Sequence, residues 1–257
     1  MGSISIALER YVANSMETVQ GYLTSLDARL IAVLLSYQDA NNIYGSLCEI
    51  GVHHGRLFLM LALARRSGEK ALAIDLFEDD AINSNTRHAG RDRALMTNAR
   101  RLGINLSEEE TFKTSSLDVE PNDILARTNG PIRFFSVDGC HLYKPVENDL
   151  KLAESTLSED GIIAVDDFFN KDWADASFAT YDLLRRTDRI VPFAITSKLF
   201  LAPPAMAEKY KIALSGSAEL AHSYYVQILG RDVLTFKQGM LQRGIEILRS
   251  LRAQRAS

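Results

Sequence analysis

The sequence predicts an α/β fold: a doubly wound, mostly parallel sheet of seven strands with helices on both faces. Three observations predict it. Short apolar runs alternate with longer segments whose apolar residues recur at helical spacing, the pattern of a sheet buried between two helix layers. The first run ends in a glycine turn that opens a helix, as at the ligand-binding edge of such sheets. The chain has 257 residues, 46% apolar and 24% charged, the length and balance of an ordinary globular domain.

Taken in order, residues 4–37 place Ile4, Leu8, Tyr11 and Val12, then Leu23, Leu26, Leu30, Ile31, Val33 and Leu34, at helical spacing. They read as two helices ahead of the main domain, followed by a polar, turn-rich linker at 39–45. Ser46–Ile50 is a strand, 57–66 a helix and 70–74 a strand. A helix at 91–102 is stopped by Gly103. Strands at 110–114 and 132–137 precede a helix at 146–157, a strand at 161–165 and a helix at 176–186. Segments 190–196 and 198–201 are two last strands around a tight turn, which supplies one antiparallel member. Beyond Pro203-Pro204 the pattern loosens: 224–229 is a candidate short strand, and 236–251 an amphipathic helix ending in basic residues. The expected organisation is a helical N-terminal extension (1–45), an α/β core (46–202) and a C-terminal extension packing on that core (203–257).

The bulk numbers narrow the partners. A net charge of −4 gives no long-range attraction to nucleic acid, so none is expected. Two cysteines, Cys48 inside an apolar strand and Cys140 after a strand end, do not make a disulfide framework, and a cytoplasmic location is expected. No basic start followed by an apolar run suggests a secretory signal, and the apolar stretch 57–64 is too short to span a bilayer, so no membrane partner is expected.

The first chemical motif is Glu49-Ile50-Gly51-Val52-His53-His54-Gly55. Gly51 and Gly55 let the backbone bend sharply and a ligand approach. Their G-x-x-x-G spacing differs from the G-x-G-x-x-G of a dinucleotide pyrophosphate loop. A nucleoside cofactor without phosphates, S-adenosylmethionine, suits it better than NAD. Asp75, ending the next apolar strand, is placed to accept hydrogen bonds from ribose hydroxyls. Glu49 is placed to serve the cofactor's amino-acid end, through its ammonium or a water. The plainer readings are a buried helix-capping acid for Glu49, a turn cap for Asp75, and turn and wall residues for His53 and His54. Arg56 reads as a surface arginine, or as a contact for an anionic part of a substrate.

The second motif is acidic. The strand ending at Val137 is followed by Asp138, and the strand ending at Val165 by Asp166-Asp167. In a parallel sheet the two ends share one edge, so three carboxylates converge and need a compensating charge. Mg²⁺ or another divalent cation bound by oxygen ligands is the simplest compensation, and it would acidify a substrate hydroxyl. His141, three residues after Asp138, is a candidate general base. The plainer readings make Asp167 a turn cap, Asp138 a contact of the cofactor alone and His141 a pocket wall. A second doublet, Asp79-Asp80, reads as part of a solvated loop.

With these residues in view, the chain resembles the class I S-adenosylmethionine-dependent methyltransferases, over roughly residues 45–202. It looks most like their macrocin/novobiocin-type sugar O-methyltransferase branch. Ala73-Ile74-Asp75 looks like the second motif of that class. Val137-Asp138-Gly139-Cys140-His141-Leu142-Tyr143 with Val165-Asp166-Asp167 looks like the branch's D-G-x-H-x-Y and D-D signature. The resemblance implies a Rossmann-like methyltransferase fold, with Mg²⁺ on Asp138, Asp166 and Asp167 and ribose on Asp75. It also implies adenine near Ser115 and Ser116. Phe168, Phe169 and Trp173 would wall the acceptor, or pack as ordinary core.

The expected function is therefore metal-assisted O-methylation of a small-molecule hydroxyl in a homo-oligomer, a dimer being plausible, with the acceptor open among sugar, phenol and carboxylate. Two alternatives stand beside it. A NAD(P)-dependent Rossmann oxidoreductase is disfavoured by the glycine spacing and by the lack of a Tyr-x-x-x-Lys pair. A non-catalytic cofactor-binding module working through its terminal helices is disfavoured by the intact acidic trio.

Overall fold

The structure, a computed structural model, describes residues 3–77, 91–220 and 222–237. Helix α1 (Ser3–Arg10) continues through a π-helical turn and a 3₁₀ turn to Thr18. Helix α2 (Ser25–Ala40) starts at Thr24, whose hydroxyl accepts the Asp27 N–H at 3.1 Å, an N-cap of the usual kind. Then follow β1 (Ser46–Ile50), α3 (Arg56–Leu63), β2 (Ala71–Asp75), α4 (Arg91–Arg101), β3 (Thr111–Lys113), α5 (Pro121–Thr128) and β4 (Ile132–Val137). The chain goes on through α6 (Tyr143–Thr156), β5 (Leu157–Val165), α7 (Ala174–Leu184), β6 (Val191–Ile195), β7 (Leu199–Ala202), α8 (Pro204–Ser215), β8 (Ser223–Ile228) and β9 (Arg231–Phe236).

All nine strands of the described residues form one sheet, in the order β3-β2-β1-β4-β5-β7-β6-β9-β8. The five strands from β3 to β5 are parallel, β7 runs antiparallel to β5 and β6, and β9 carries β8 as a hairpin. Side chains alternate across the sheet as the pleat requires. Phe134 joins the core that holds α2, α3 and α8, while Phe135 joins the core that holds α5, α6 and α7. The chain winds outward from β1 to β3 and returns to β4 beside β1, so the topological switch, where such sheets bind ligands, lies between β1 and β4.

Nine strands replace the expected seven because the C-terminal hairpin β8–β9 extends the sheet. The candidate strand at 224–229 is its first arm. Phe236, the expected start of a helix, instead ends β9, and 238–251 lie outside the described residues, as does Asp79-Asp80. Two helices went unread, α5 and α8. Among the described residues no helix is long and apolar enough to cross a membrane.

At the N-terminal edge of β4 a fully buried Arg133 ties the extension to the core. It pairs with Glu69 at 2.9 Å and donates to Gln38 of α2 and to the Ala64 carbonyl, each at 2.8 Å. The site lies at the opposite edge.

Candidate active site

Glu49 is the fourth residue of β1 and pairs in register with Ser136 of β4. It is 2% exposed, and burial raises its carboxyl well above the usual range. Ser136 donates to Oε1 at 3.4 Å, but Oε2 has no partner among the described residues. A buried acceptor left open beside the switch point is a place for a ligand donor.

The turn after β1 is tightly specified. Gly51 has φ +84°, and a Cβ there would fall 1.9 Å from the Asp138 carbonyl oxygen. Gly55 has φ +91°, and Leu95 of α4 fills the room a side chain would need. The glycines thus let β4 and α4 close on the turn. Asp75 holds it from below: Oδ2 accepts the N–H groups of Val52 at 2.7 Å and His53 at 2.9 Å, and Oδ1 accepts that of Phe77 at 2.8 Å. Its turn-capping role is therefore built in, and Oδ1 keeps acceptor capacity for a hydroxyl. His53 and His54 lie in the turn with their Nδ1 atoms 2.9 Å apart. Burial, then His54, lowers His53 to about 4.

Arg56 is not a surface arginine: its side chain is largely buried, 14% exposed. Its guanidinium donates to the carbonyls of Val19 at 2.7 Å and Leu23 at 3.5 Å, and the Tyr11 hydroxyl donates to the Arg56 carbonyl at 2.6 Å. It fastens the N-terminal extension to α3.

Ser115 and Ser116 follow β3 at the same edge. The Thr114 N–H donates to the Asp75 carbonyl at 3.1 Å, which sets this loop beside the end of β2. Ser115 Oγ accepts the Leu117 N–H at 3.3 Å, and Asn148 of α6 donates to the Ser116 carbonyl at 2.8 Å.

The acidic residues converge as the strand ends require. Val137 and Val165 are register partners, so Asp138 and Asp166 are neighbours. Between them sits a residue absent from the sequence reading: Lys198 donates from Nζ to Asp138 Oδ2 at 3.0 Å and to Asp166 Oδ1 at 2.7 Å. Burial alone would lower Lys198, but Asp138 and Asp166 lift it above the ordinary lysine range, so it stays charged. Burial pushes Asp138 well up. It would raise Asp166 too, but Lys198 and the hydrogen bond with Asp138 hold Asp166 below the carboxylate range.

Asp167 turns away from this pair. Its φ is +53°, its Oδ2 lies 3.0 Å from His141 Nε2, and its Oδ1 accepts from Asn170 Nδ2 at 2.7 Å. The carboxylate thus orients the imidazole, whose ring packs 5.1 Å from that of Trp173. Phe168 is core, at 3% exposed; Trp173, beside the imidazole, is 44% exposed, and Phe169, whose ring packs on Phe168 and Tyr181, is 59% exposed.

The expected cation trio is only partly assembled. Among the described residues Asp138, His141 and Asp166 place ligand atoms within 4.8 Å of one another, a group able to hold a metal ion, and Asp167 is not part of it. Mg²⁺ demands near-octahedral oxygen donors. Here the third donor is an imidazole nitrogen, and the ammonium of Lys198 already holds an oxygen of each carboxylate. The donor set suits a nucleoside cofactor: Glu49 has an unpartnered oxygen, and Asp75 Oδ1, which accepts one N–H, keeps capacity for a hydroxyl.

Residues 48–168 match a family model described as a methyltransferase domain. Among solved structures the chain is similar to CalS11, a TDP-rhamnose 3'-O-methyltransferase of calicheamicin biosynthesis. The identity is 15% and the TM-score 0.51, covering 77% of this chain and 92% of that one. It is similar also to the O-methyltransferase from Bacillus cereus, solved in complex with SAH, at 14% identity and TM-score 0.51, covering 78% and 90%. Both likenesses establish the fold. No curated protein matches the chain.

Proposed function

We propose that residues 48–168, which match a methyltransferase domain, bind S-adenosylmethionine in the class I manner, and that the protein methylates a hydroxyl of a small molecule, a sugar or other natural-product acceptor. The observation that carries the acceptor chemistry is the His141–Asp167 pair, 3.0 Å apart and next to the β1–β4 switch point.

Glu49 would take the ammonium of the cofactor's amino-acid end, Asp75 a ribose hydroxyl, and the Ser115-Ser116 loop the adenine. When bound, the sulfonium supplies an already activated methyl group. The protein then has to align the acceptor oxygen, keep water out and accept one proton. His141 accepts that proton, and Asp167 fixes the ring and stabilises the imidazolium that forms. Trp173, packed beside the His141 ring, offers an apolar surface against which an acceptor can pack. The divalent cation expected from the acidic trio has no part in these steps, because Lys198 holds its two central carboxylates.

A sugar hydroxyl is the acceptor of CalS11, which supports that class of acceptor without naming the compound. The NAD(P) alternative loses ground because residues 48–168 match a methyltransferase domain. The non-catalytic alternative has no account of the oriented imidazole. The reading includes a cytoplasmic location, supported by two unpaired cysteines, and a homo-oligomer, supported by exposed apolar side chains such as Phe178 and Ile212. It keeps residues 1–45 and 203–257 as extensions that shape acceptor choice.

The test is transfer from S-adenosylmethionine to a panel of sugars and phenols, read by mass spectrometry, with S-adenosylhomocysteine binding measured by calorimetry. His141→Asn should lose about 10²- to 10⁴-fold in kcat while binding S-adenosylhomocysteine normally. Equal kcat in variant and wild type would remove His141 from the chemistry. Failure to bind S-adenosylhomocysteine would remove the cofactor.

A further inference from the structure

We propose that Lys198 is the resident cation of this acidic site, seated where a divalent metal would bridge Asp138 and Asp166, so that the site takes no metal. The inference concerns the same site but stands apart from methyl transfer, since metal binding is measured without turnover.

Three observations carry it. The first is register. Strands β5 and β7 pair Ile163 with Leu201, Ala164 with Phe200 and Val165 with Leu199; one further step sets Lys198 opposite Asp166. The lysine reaches the carboxylates because the sheet puts it there.

The second is that its turn is fixed from outside the site. Asp27 of α2, fully buried, accepts from Ser197 Oγ at 2.6 Å and from the Thr196 hydroxyl, and the Thr196 N–H donates to the Lys198 carbonyl at 2.9 Å. The Lys198 side chain is 3% exposed. Leaving the pair would carry a buried ammonium away from both of its carboxylate partners, a move with a large desolvation and pairing penalty.

The third is charge and donors. Asp138 and Asp166 already face an ammonium, and a divalent ion there would meet its repulsion at contact distance. Asp167, the third oxygen a metal needs, is engaged by His141 and Asn170. An acceptor hydroxyl is then not acidified by a metal, and its proton falls to His141 alone.

The experiment is a Mn²⁺ titration followed by electron paramagnetic resonance, on wild type, Lys198→Met and Asp138→Asn. Wild type should leave Mn²⁺ free at millimolar concentration. Lys198→Met, with two carboxylates and no ammonium, should bind one Mn²⁺ at least about tenfold more tightly and gain thermal stability from it. Turnover of the wild type should be unchanged in EDTA. Stoichiometric Mn²⁺ binding by the wild type, lost in Asp138→Asn, overturns the proposal whether or not Lys198→Met folds. A folded Lys198→Met that ignores Mn²⁺ also overturns it, because the lysine is then not what keeps metal out. Absence of any turnover bears on methyl transfer alone and leaves the Mn²⁺ result standing.

Discussion

Gly51 has almost no room for change. Its φ of +84° suits glycine, and the atom a Cβ would strike, at 1.9 Å, is the backbone carbonyl of Asp138, which cannot swing aside as a side chain would. Gly51→Ala adds left-handed strain to overpacking, so a loss of about 4 kcal/mol is expected in urea denaturation. S-adenosylhomocysteine affinity should fall with it, because β4 and the turn move apart; a stable variant with normal binding would contradict this. The residue was legible in the sequence, though for a different reason: the glycine turn was read as room for a ligand, and the structure fills much of that room with protein. The strand-end acids were legible because a carboxylate directly after an apolar run has few places to go but the sheet edge. Lys198 was not. A lysine before an apolar run looks like any strand-edge lysine, and only the antiparallel register with β5 brings it to Asp166. The burial of Arg56 was not legible, because its hydrogen-bond partners are backbone carbonyls of another segment, which leave no mark on composition.

Among the elements, the two unread helices share a cause. Both α5 and α8 begin with proline at the first helical turn, Pro121 and Pro204, where the missing N–H costs nothing and the fixed φ suits a helix. Proline read as a breaker hides such starts. Helix α6 was legible by periodicity, but not the acid it buries. Asp149 faces inward, neither of its oxygens has a hydrogen-bond partner among the described residues, and burial raises its carboxyl to about 6. The folded value exceeds the unfolded one of about 3.9. The stability this group contributes is therefore present in full below about pH 4 and is lost as pH rises through about 6. At pH 8 the loss amounts to about 3 kcal/mol. Asp149→Asn cannot ionise, so its stability relative to wild type should grow by about that amount between pH 4 and pH 8. Urea midpoints at the two pH values check it, and parallel curves would place the ionised carboxylate in contact with a donor.

At the scale of the whole molecule, the N-terminal extension is a brace that joins both edges of the sheet. Gln38 meets Arg133 at the strand N-termini, the Arg56 guanidinium holds the carbonyls of Val19 and Leu23, and Asp27 reaches the β6–β7 turn at the opposite edge. The sequence announced the helices by their apolar spacing, but buried polar anchors carry no period and so went unread. Asp27 is the anchor closest to the chemistry. Its carboxylate accepts from the hydroxyls of Thr24, Thr196 and Ser197, the latter two 169 and 170 residues away, and the next residue after them is Lys198. Asp27→Ala leaves the half-buried hydroxyls of Thr24 and Thr196 short of an acceptor, at about 1 kcal/mol each, while the exposed Ser197 hydroxyl can turn to water, so a destabilisation of about 2 kcal/mol is expected. Asp27→Asn keeps one acceptor oxygen and should lose less. The effect should also travel: with the turn freed, Lys198 loses its external support, and methyl transfer should fall further than the lost stability explains when rates are measured well below the unfolding transition. An unchanged urea midpoint in Asp27→Ala would mean that β6 and β7 hold their turn unaided and that the extension braces only the far edge.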